Sequence, residues 1–528
     1  MDITFFGACR EVTGSSHLIT TNHSRIMLDC GFFQGNRKKS REKNIDFSFN
    51  AESITNMLLS HAHIDHSGRI PMLSTKGFQG RVITTRATQD ACEYMLKDSA
   101  YIQEQDANYL NYKTARAFLY EQSAFGKKNK RLDNREIGKI KKLLKKNRWY
   151  VNKEKIMGVI DNHNLQVVTP LYTIENAVET LKQFEGYPYN KTIEIGKDIF
   201  CTFYDAGHIL GSAITIIEII EDAKRYTVGF TGDLGRFKVP ILRDPTLQFP
   251  SEHQHLDLLI MESTYGNRFH EPVGNLNNQL AEVINKTYER GGSVVIPSFA
   301  MERTQTIIYM LHELYNEKKI PSMPVYVDSP LAMNLTKVFG EHPECYDYET
   351  HKTFLKNSEN PFSFNNLKYI QTVEESMALN RDLTPHIVIS ASGMCEAGRI
   401  LHHLRFKIHD TKNTILFVGF QAQNTLGRRI IELSKAHKET GGEYPLVKFM
   451  KKEYPIKADV VQLDGFSGHA DQSEIIHFLT ESNLKIDKIA LVHGEENSIE
   501  TLGKLLNHKG FSIFIPNSGD SLPLKSKF

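Results

Sequence analysis

The sequence predicts an α/β protein built from two sheet-based domains, and three observations carry that prediction. First, its 528 residues exceed one ordinary domain, and 40% apolar with 24% charged residues suits large buried cores. Second, short apolar runs punctuated by glycine recur over the first 266 residues. Each leaves a polar residue at its carboxyl end, where open α/β sheets place their sites. Third, helix and strand patterns alternate regularly from about residue 267 onward, as in a parallel sheet.

In chain order, residues 3–6, 16–20 and 25–29 read as strands separated by turns at Gly7, Gly14 and Gly31, with Asp29 closing the third. A short buried strand over 54–59 runs into Ser60-His61-Ala62-His63-Ile64-Asp65-His66-Ser67-Gly68. A strand over 80–84 and a helix over 89–106 follow. Between about 101 and 165 strand signals stop and lysine-rich helix formers take over. Ile137, Ile140, Leu143 and Leu144 sit at helical spacing with lysines between them, predicting an amphipathic helix with an open cationic face. Residues 127–155 hold thirteen Lys or Arg against three acids. That face is either simply solvated or an RNA contact with Trp149 and Tyr150 as stacking groups.

Strands resume at 166–169, 192–195 and 199–204, the last leading to Gly207-His208. Two more, 213–220 and 226–231, precede Gly232-Asp233, and 256–261 ends in Glu262-Ser263-Thr264-Tyr265-Gly266. The alternating region gives helices over 275–290 and 302–316 and strands over 292–297, 325–328, 386–390 and 414–419. A strand over 458–463 leads to Phe466-Ser467-Gly468-His469-Ala470-Asp471, and one over 488–492 to His493.

No run approaches the roughly 18–20 apolar residues of a membrane span, and the amino terminus lacks a secretory signal pattern. Six cysteines without Cys-x-x-Cys pairs suit a reducing cytoplasm, so a cytoplasmic protein without a membrane partner is expected. A net charge of +2 says nothing alone about nucleic acid.

His61 and His63 lie too close to share a helix face, but both can reach one ion from a loop. Asp65 and His66 point past that ion towards a second. Imidazole nitrogen with carboxylate oxygen is a zinc-type ligand set. Two adjacent ions need about seven or eight protein contacts, and His208, Asp233 and His493, at or near strand ends and flanked by glycine, fill the missing positions. Asp29 alone reads equally well as a turn aspartate.

His61-x-His63-x-Asp65-His66, with Asp29, His208 and Asp233, resembles the metallo-β-lactamase fold. Glu262, His469 in Phe-Ser-Gly-His-Ala-Asp and His493 in Val-His-Gly-Glu resemble the three extra motifs of its β-CASP branch, which processes nucleic acids. Pro297 to Arg303, Val327-Asp328-Ser329-Pro330 and the segment from Ser392 to His403 match further. The ensemble is similar to bacterial ribonucleases related to the 73-kDa subunit of the pre-mRNA cleavage and polyadenylation factor. It covers nearly the whole chain except the lysine-rich segment, which looks longer than in those relatives.

That resemblance implies an αββα sandwich (1–266, completed by 457–528) with an inserted β-CASP domain at 267–456. It implies two zinc ions: one on His61, His63 and His208, one on Asp65, His66 and His493, with Asp233 bridging. Asp29 is implied to sit just outside, hydrogen-bonding near the metal-bound solvent, and His469 to act as acid, oriented by Glu262. The implied activity is zinc-dependent hydrolysis of RNA, the histidine at position 493 being typical of RNA enzymes. Arg303 and Arg399, with Ser392 and Gly393 between a strand and a helix start, are the expected substrate contacts. Two alternatives compete. A small-ester or thioester hydrolase needs neither the second domain nor the Glu262/His469 pair, and a non-catalytic RNA-binding subunit would have lost ligands that are all present here. Oligomeric state stays open, a homodimer included.

Overall fold

A computed structural model describes residues 1–35, 37–124, 132, 134–144, 152–271, 273–356, 360–419 and 421–524. Trp149, Tyr150 and about half of the cationic residues between 127 and 155 lie outside these.

Two seven-stranded sheets face each other. The first is ordered Ser521–Pro523, Asp2–Gly7, Ser16–Thr20, Arg25–Leu28, Asn56–Leu58, Arg81–Thr85, Phe184–Tyr187. The second is ordered Ile513–Phe514, Ile489–Val492, Leu258–Glu262, Lys224–Phe230, Ala213–Glu221, Ile199–Asp205, Thr192–Gly196. Alternation along each strand sends one row of side chains between the sheets. Ile3, Phe5 and Leu28 of the first sheet meet Phe203, Phe230 and Ile260 of the second in one buried cluster. Each such side chain contributes about 1.5–3 kcal/mol of burial. Helices Gln472–Glu481 and Glu496–His508 cover the outer face of the second sheet through Ile475, Phe478, Ile499 and Leu502.

The chain's last strand pairs antiparallel with its first, Ile3 opposite Leu522, so both ends belong to one sheet. Between them a second domain carries six strands, all paired parallel, in the order Leu367–Tyr369, Val325–Val327, Ile387–Ser390, Val294–Pro297, Thr414–Phe417, Asp459–Gln462. Its final strand lies beyond residue 456, so the chain returns to the sandwich only after Gln462. The boundary at 456 that the resemblance implies falls before that strand, because Asp459–Gln462 reads like any other buried run.

The lysine-rich segment continues an existing helix. Arg86–Ala124 is one helix of 39 residues, about 58 Å long. Asn134–Leu143 and Lys153–Asn162 pack against its far half. Tyr112, Leu119, Ile137, Ile140, Ile156 and Ile160 form a cluster separate from the other cores. Ile137, Ile140 and Leu144 are buried, whereas Leu143 is 37% exposed, so the apolar stripe is narrower than four residues. No strand forms over 166–169. The Asn111 amide takes the place of a neighbouring strand, accepting from the Val168 N–H and donating to its carbonyl, both at 2.8 Å.

Candidate metal centre

The sandwich brings remote residues together because their strands are neighbours. Phe230 pairs with Ile260 and Glu262 with Val492 in parallel register, so Asp233, Glu262 and His493 leave adjacent strand ends. From the first sheet, Leu28 pairs with Leu58, which places Asp29 beside the loop starting at Ser60. Asp29 and His493 occupy left-handed backbone at φ 56° and 51°, where the chain turns abruptly out of each strand.

Seven side chains converge in two groups. His61 Nε2 and His208 Nε2 lie 3.2 and 3.3 Å from His63 Nδ1. Both lie 3.4 Å from Asp233 Oδ2. A tetrahedral zinc with bonds of about 2.0–2.1 Å separates its ligands by about 3.3–3.4 Å, so these four atoms fit one ion. In the second group His66 Nε2 lies 3.1 Å from His493 Nε2 and 3.2 Å from Asp233 Oδ1. Asp65 Oδ2 lies 3.7 Å from His493 Nε2. Asp233 thus offers one oxygen to each group. Its Oδ1 is buried without a hydrogen-bond donor among the described residues, a charge that a cation would satisfy.

Protonation suits ligation in the first group. Burial lowers His61 and His208 below the ordinary imidazole range and His63 to about 3, keeping their lone pairs free. In the second, burial opposes charge on His66, but Asp233 and Asp29 outweigh it and raise that imidazole well above its ordinary range. Burial also penalises Asp233, but the surrounding histidines, His493 foremost, outweigh it and hold the carboxyl well below its ordinary range.

Outer contacts fix the imidazole tautomers. The Thr264 hydroxyl donates to the His493 carbonyl at 3.0 Å, so it accepts from His493 Nδ1–H at 3.1 Å and leaves Nε2 bare. The Ser60 hydroxyl donates to Asp29 Oδ2 and accepts from His61 Nδ1–H, each at 3.0 Å. Sequence reasoning missed Ser60 and Thr264, whose only signal was adjacency to a candidate ligand. Asp29 itself departs from expectation. Its carboxylate is fully buried and held by Ser15 Oγ (3.0 Å), Ser60 N–H (2.8 Å), Ser60 Oγ and His66 Nδ1 (2.6 Å). Its nearest partner is thus the His66 ring, one of the seven converging side chains.

His469 stands beside this cluster, its ring centroid 4.5 Å from that of His208. Leu234 N–H donates to His469's partner Glu262, and both Glu262 oxygens lie 3.1 Å from His469 Nδ1. Burial opposes the charge on His469, but Glu262 and then Asp233 outweigh it and raise its pKa to about 9. The ring is one-fifth exposed and directs Nε2 away from Glu262.

The expected substrate contacts divide. Arg303 is buried where the second domain meets the His469 loop: a Cβ built on Gly468 would lie 3.6 Å from Arg303 Nη2. Ser392 and Gly393 lie in a loop seven to eight positions before the helix Ile400–Lys407, not at its start, with Gly393 against the Phe299 ring. Arg399 is committed inside the second domain, donating to Asp328 Oδ1 (2.7 Å) and to the carbonyls of Ile370 and Gln371. Asp328, fully buried, also accepts from His403 and Ser376, so Arg399 shares one buried carboxylate with them while its side chain stays about one-fifth exposed.

Comparison with known proteins agrees with this geometry. A metallo-beta-lactamase superfamily model matches residues 9–84, a Beta-Casp domain model residues 304–430, and a Zn-dependent metallo-hydrolase RNA specificity domain model residues 453–516. The chain is 32% identical over 524 residues to Ribonuclease TTHA0252 of Thermus thermophilus, covering 99% of this chain and 100% of that one. It is 28% identical over 513 residues to the transcription termination factor FttA of Methanosarcina mazei, covering 96% of this chain and 69% of the relative. A crystal structure of a protein of unknown function from Enterococcus faecalis V583 shares the fold at 13% identity, TM-score 0.50, over 99% of both chains. The chain belongs to the β-CASP family of metal-dependent hydrolases built on the metallo-β-lactamase fold.

Proposed function

We propose that this protein is a ribonuclease that holds two zinc ions and hydrolyses RNA phosphodiester bonds where the strand ends of both sheets meet. The observation that carries the reading is the Glu262–His469 pair at 3.1 Å, set beside the seven converging side chains. The Thermus relative's name supplies the substrate class. His61, His63 and His208 would hold one ion, Asp65, His66 and His493 the other, with Asp233 shared. Zinc so held supplies Lewis-acid polarisation of a phosphoryl oxygen and acidification of water.

The protein's own groups handle the leaving side. An alkoxide is a poor leaving group at neutral pH, so the departing sugar oxygen needs a proton. With Nδ1–H donated to Glu262, His469 carries its transferable proton on Nε2. The carboxylate's negative charge stabilises the imidazolium before transfer and fixes the ring for it. Acid assistance of this kind contributes about 10²–10⁴-fold. Arg303, at the domain boundary beside Gly468, is the cation that meets a substrate phosphate.

The test is incubation of zinc-loaded protein with end-labelled RNA bearing a 5′-phosphate or 5′-hydroxyl, alongside matched DNA. Cleavage of RNA that chelator abolishes and zinc restores is expected. Equal rates on DNA would overturn the RNA preference, and inertness towards RNA the whole reading. A ladder of internal fragments or a single released mononucleotide separates internal from terminal cutting.

A further inference from the structure

Glu302 has a backbone that its residue type does not favour. It sits at φ 68°, ψ −60°, immediately before the helix Arg303–Asn316. A non-glycine residue held there stores about 1–3 kcal/mol, and such strain persists only where the surroundings enforce it. The turn's product is visible in the side chains. Adjacent residues on a helix do not face each other. Here Glu302 Oε2 nevertheless lies 3.1 Å from Arg303 Nη2, and Thr306 Oγ1 donates to Glu302 Oε1 at 3.0 Å.

Arg303 is itself unusual. Only 9% exposed, it has no hydrogen-bond partner at Nε among the described residues. A buried guanidinium with a free donor is costly unless a ligand completes it. The nearest chemistry is the Gly468–His469 loop, which its Nη2 overhangs. A cleft of about 750 Å³ opens alongside, lined by Glu302, Arg303, Arg236, Lys238, Phe466 and His477.

We propose that Glu302 is a positioning residue: it clamps Arg303 against the His469 loop so that the guanidinium's cleft-side Nη–H groups meet an RNA phosphate neighbouring the scissile one. This rests on the ribonuclease reading. It assigns the strained turn a purpose, because a relaxed helical start would point the carboxylate away from its neighbour. Glu302 touches neither substrate nor reacting atoms and acts only through Arg303.

The test is steady-state cleavage of one short RNA by zinc-loaded wild type, Arg303→Ala, Glu302→Ala, Glu302→Gln and the double variant Glu302→Ala/Arg303→Ala, with zinc content and Tm measured alongside. Losing one charge-assisted phosphate contact raises KM about tenfold or more in Arg303→Ala while kcat stays within about twofold. Glu302→Ala raises KM in the same direction, Glu302→Gln recovers most of it by keeping an acceptor, and the double variant is no worse than Arg303→Ala. A wild-type KM in Glu302→Ala, or a double variant whose loss multiplies those of the single variants, overturns the assignment. Should Glu302→Ala lose zinc or unfold, Glu302→Gln decides: its KM must exceed wild type, and must not worsen Arg303→Ala when combined. Inertness of the wild type towards RNA would instead bring down the underlying reading.

Discussion

Asp29 Oδ2 and His66 Nδ1 are joined by a 2.6 Å hydrogen bond that lies wholly out of solvent. It aims His66 Nε2 at Asp233 Oδ1, 3.2 Å away. Outer partners of this kind are worth about 10–100-fold in metal affinity. On the two-zinc proposal, Asp29→Asn is therefore expected to weaken one ion by that factor and leave the other unchanged, as read by chelator competition. Equal affinity for both ions in the variant would remove Asp29 from this role.

Asp233 differs because it touches both ligand groups, Oδ2 at 3.4 Å from His61 and His208 and Oδ1 at 3.2 Å from His66. Asp233→Ala removes a ligand and the central negative charge together. The variant should purify with less than half the wild-type zinc, measured by elemental analysis on protein whose fold is checked by circular dichroism. Retention of full metal content would refute the shared carboxylate.

What the sequence could and could not reveal follows from locality. The loop from His61 to His66 was legible because four ligand-type residues fall within six positions. Glu262 and His469 are 207 positions apart, and the bridges between Gly235 and His469 and between Tyr265 and Asp471 bring them together. Asp29's partner was likewise hidden, since a turn aspartate and a ligand-orienting aspartate look the same in one dimension. Glu302 lay inside the matching stretch Pro297 to Arg303, but nothing in it marked the left-handed φ, a tertiary compromise that composition does not record. The long helix from Arg86 was read short because its middle turns exchange an apolar face for a mixed one.

His469 and Glu262 make a pH-dependent pair. Burial alone would lower the imidazole pKa, yet Glu262 and Asp233 raise it to about 9 in the zinc-free protein. Folding therefore favours the protonated ring. The stability this contributes is fully present below about pH 6.5, the ordinary histidine value, and is lost as pH rises through about 9. The Tm gap between zinc-free wild type and His469→Gln is expected to be larger at pH 6 than at pH 10. Glu262→Gln should lower the His469 midpoint seen by NMR, and an unmoved midpoint would deny the pairing. In the zinc-loaded enzyme, His469→Ala should cut cleavage by about 10²–10⁴-fold with zinc retained. Loss of zinc would recast His469 as a ligand.

The three-helix arm yields a prediction that separates its fold from its surface. Ile140 lies in a cluster of its own with Tyr112, Leu119 and Ile156, so Ile140→Ala should cost about 2–4 kcal/mol locally. Faster hydrogen exchange confined to the arm, with zinc content unchanged, is the expected outcome. Lys139, Lys141 and Lys142 are exposed on the helix Asn134–Leu143, whose opposite side fills that cluster. Replacing all three by Gln leaves the packing intact while removing three positive charges. RNA affinity should fall, and the slope of log affinity against log salt should flatten by about 0.7 for each lost contact to a single strand. Short substrates that occupy only the metal cleft should be cut at the wild-type rate, because these lysines act on binding and not on the bond being broken. An unchanged affinity together with an unchanged slope would identify the cationic face as solvated surface.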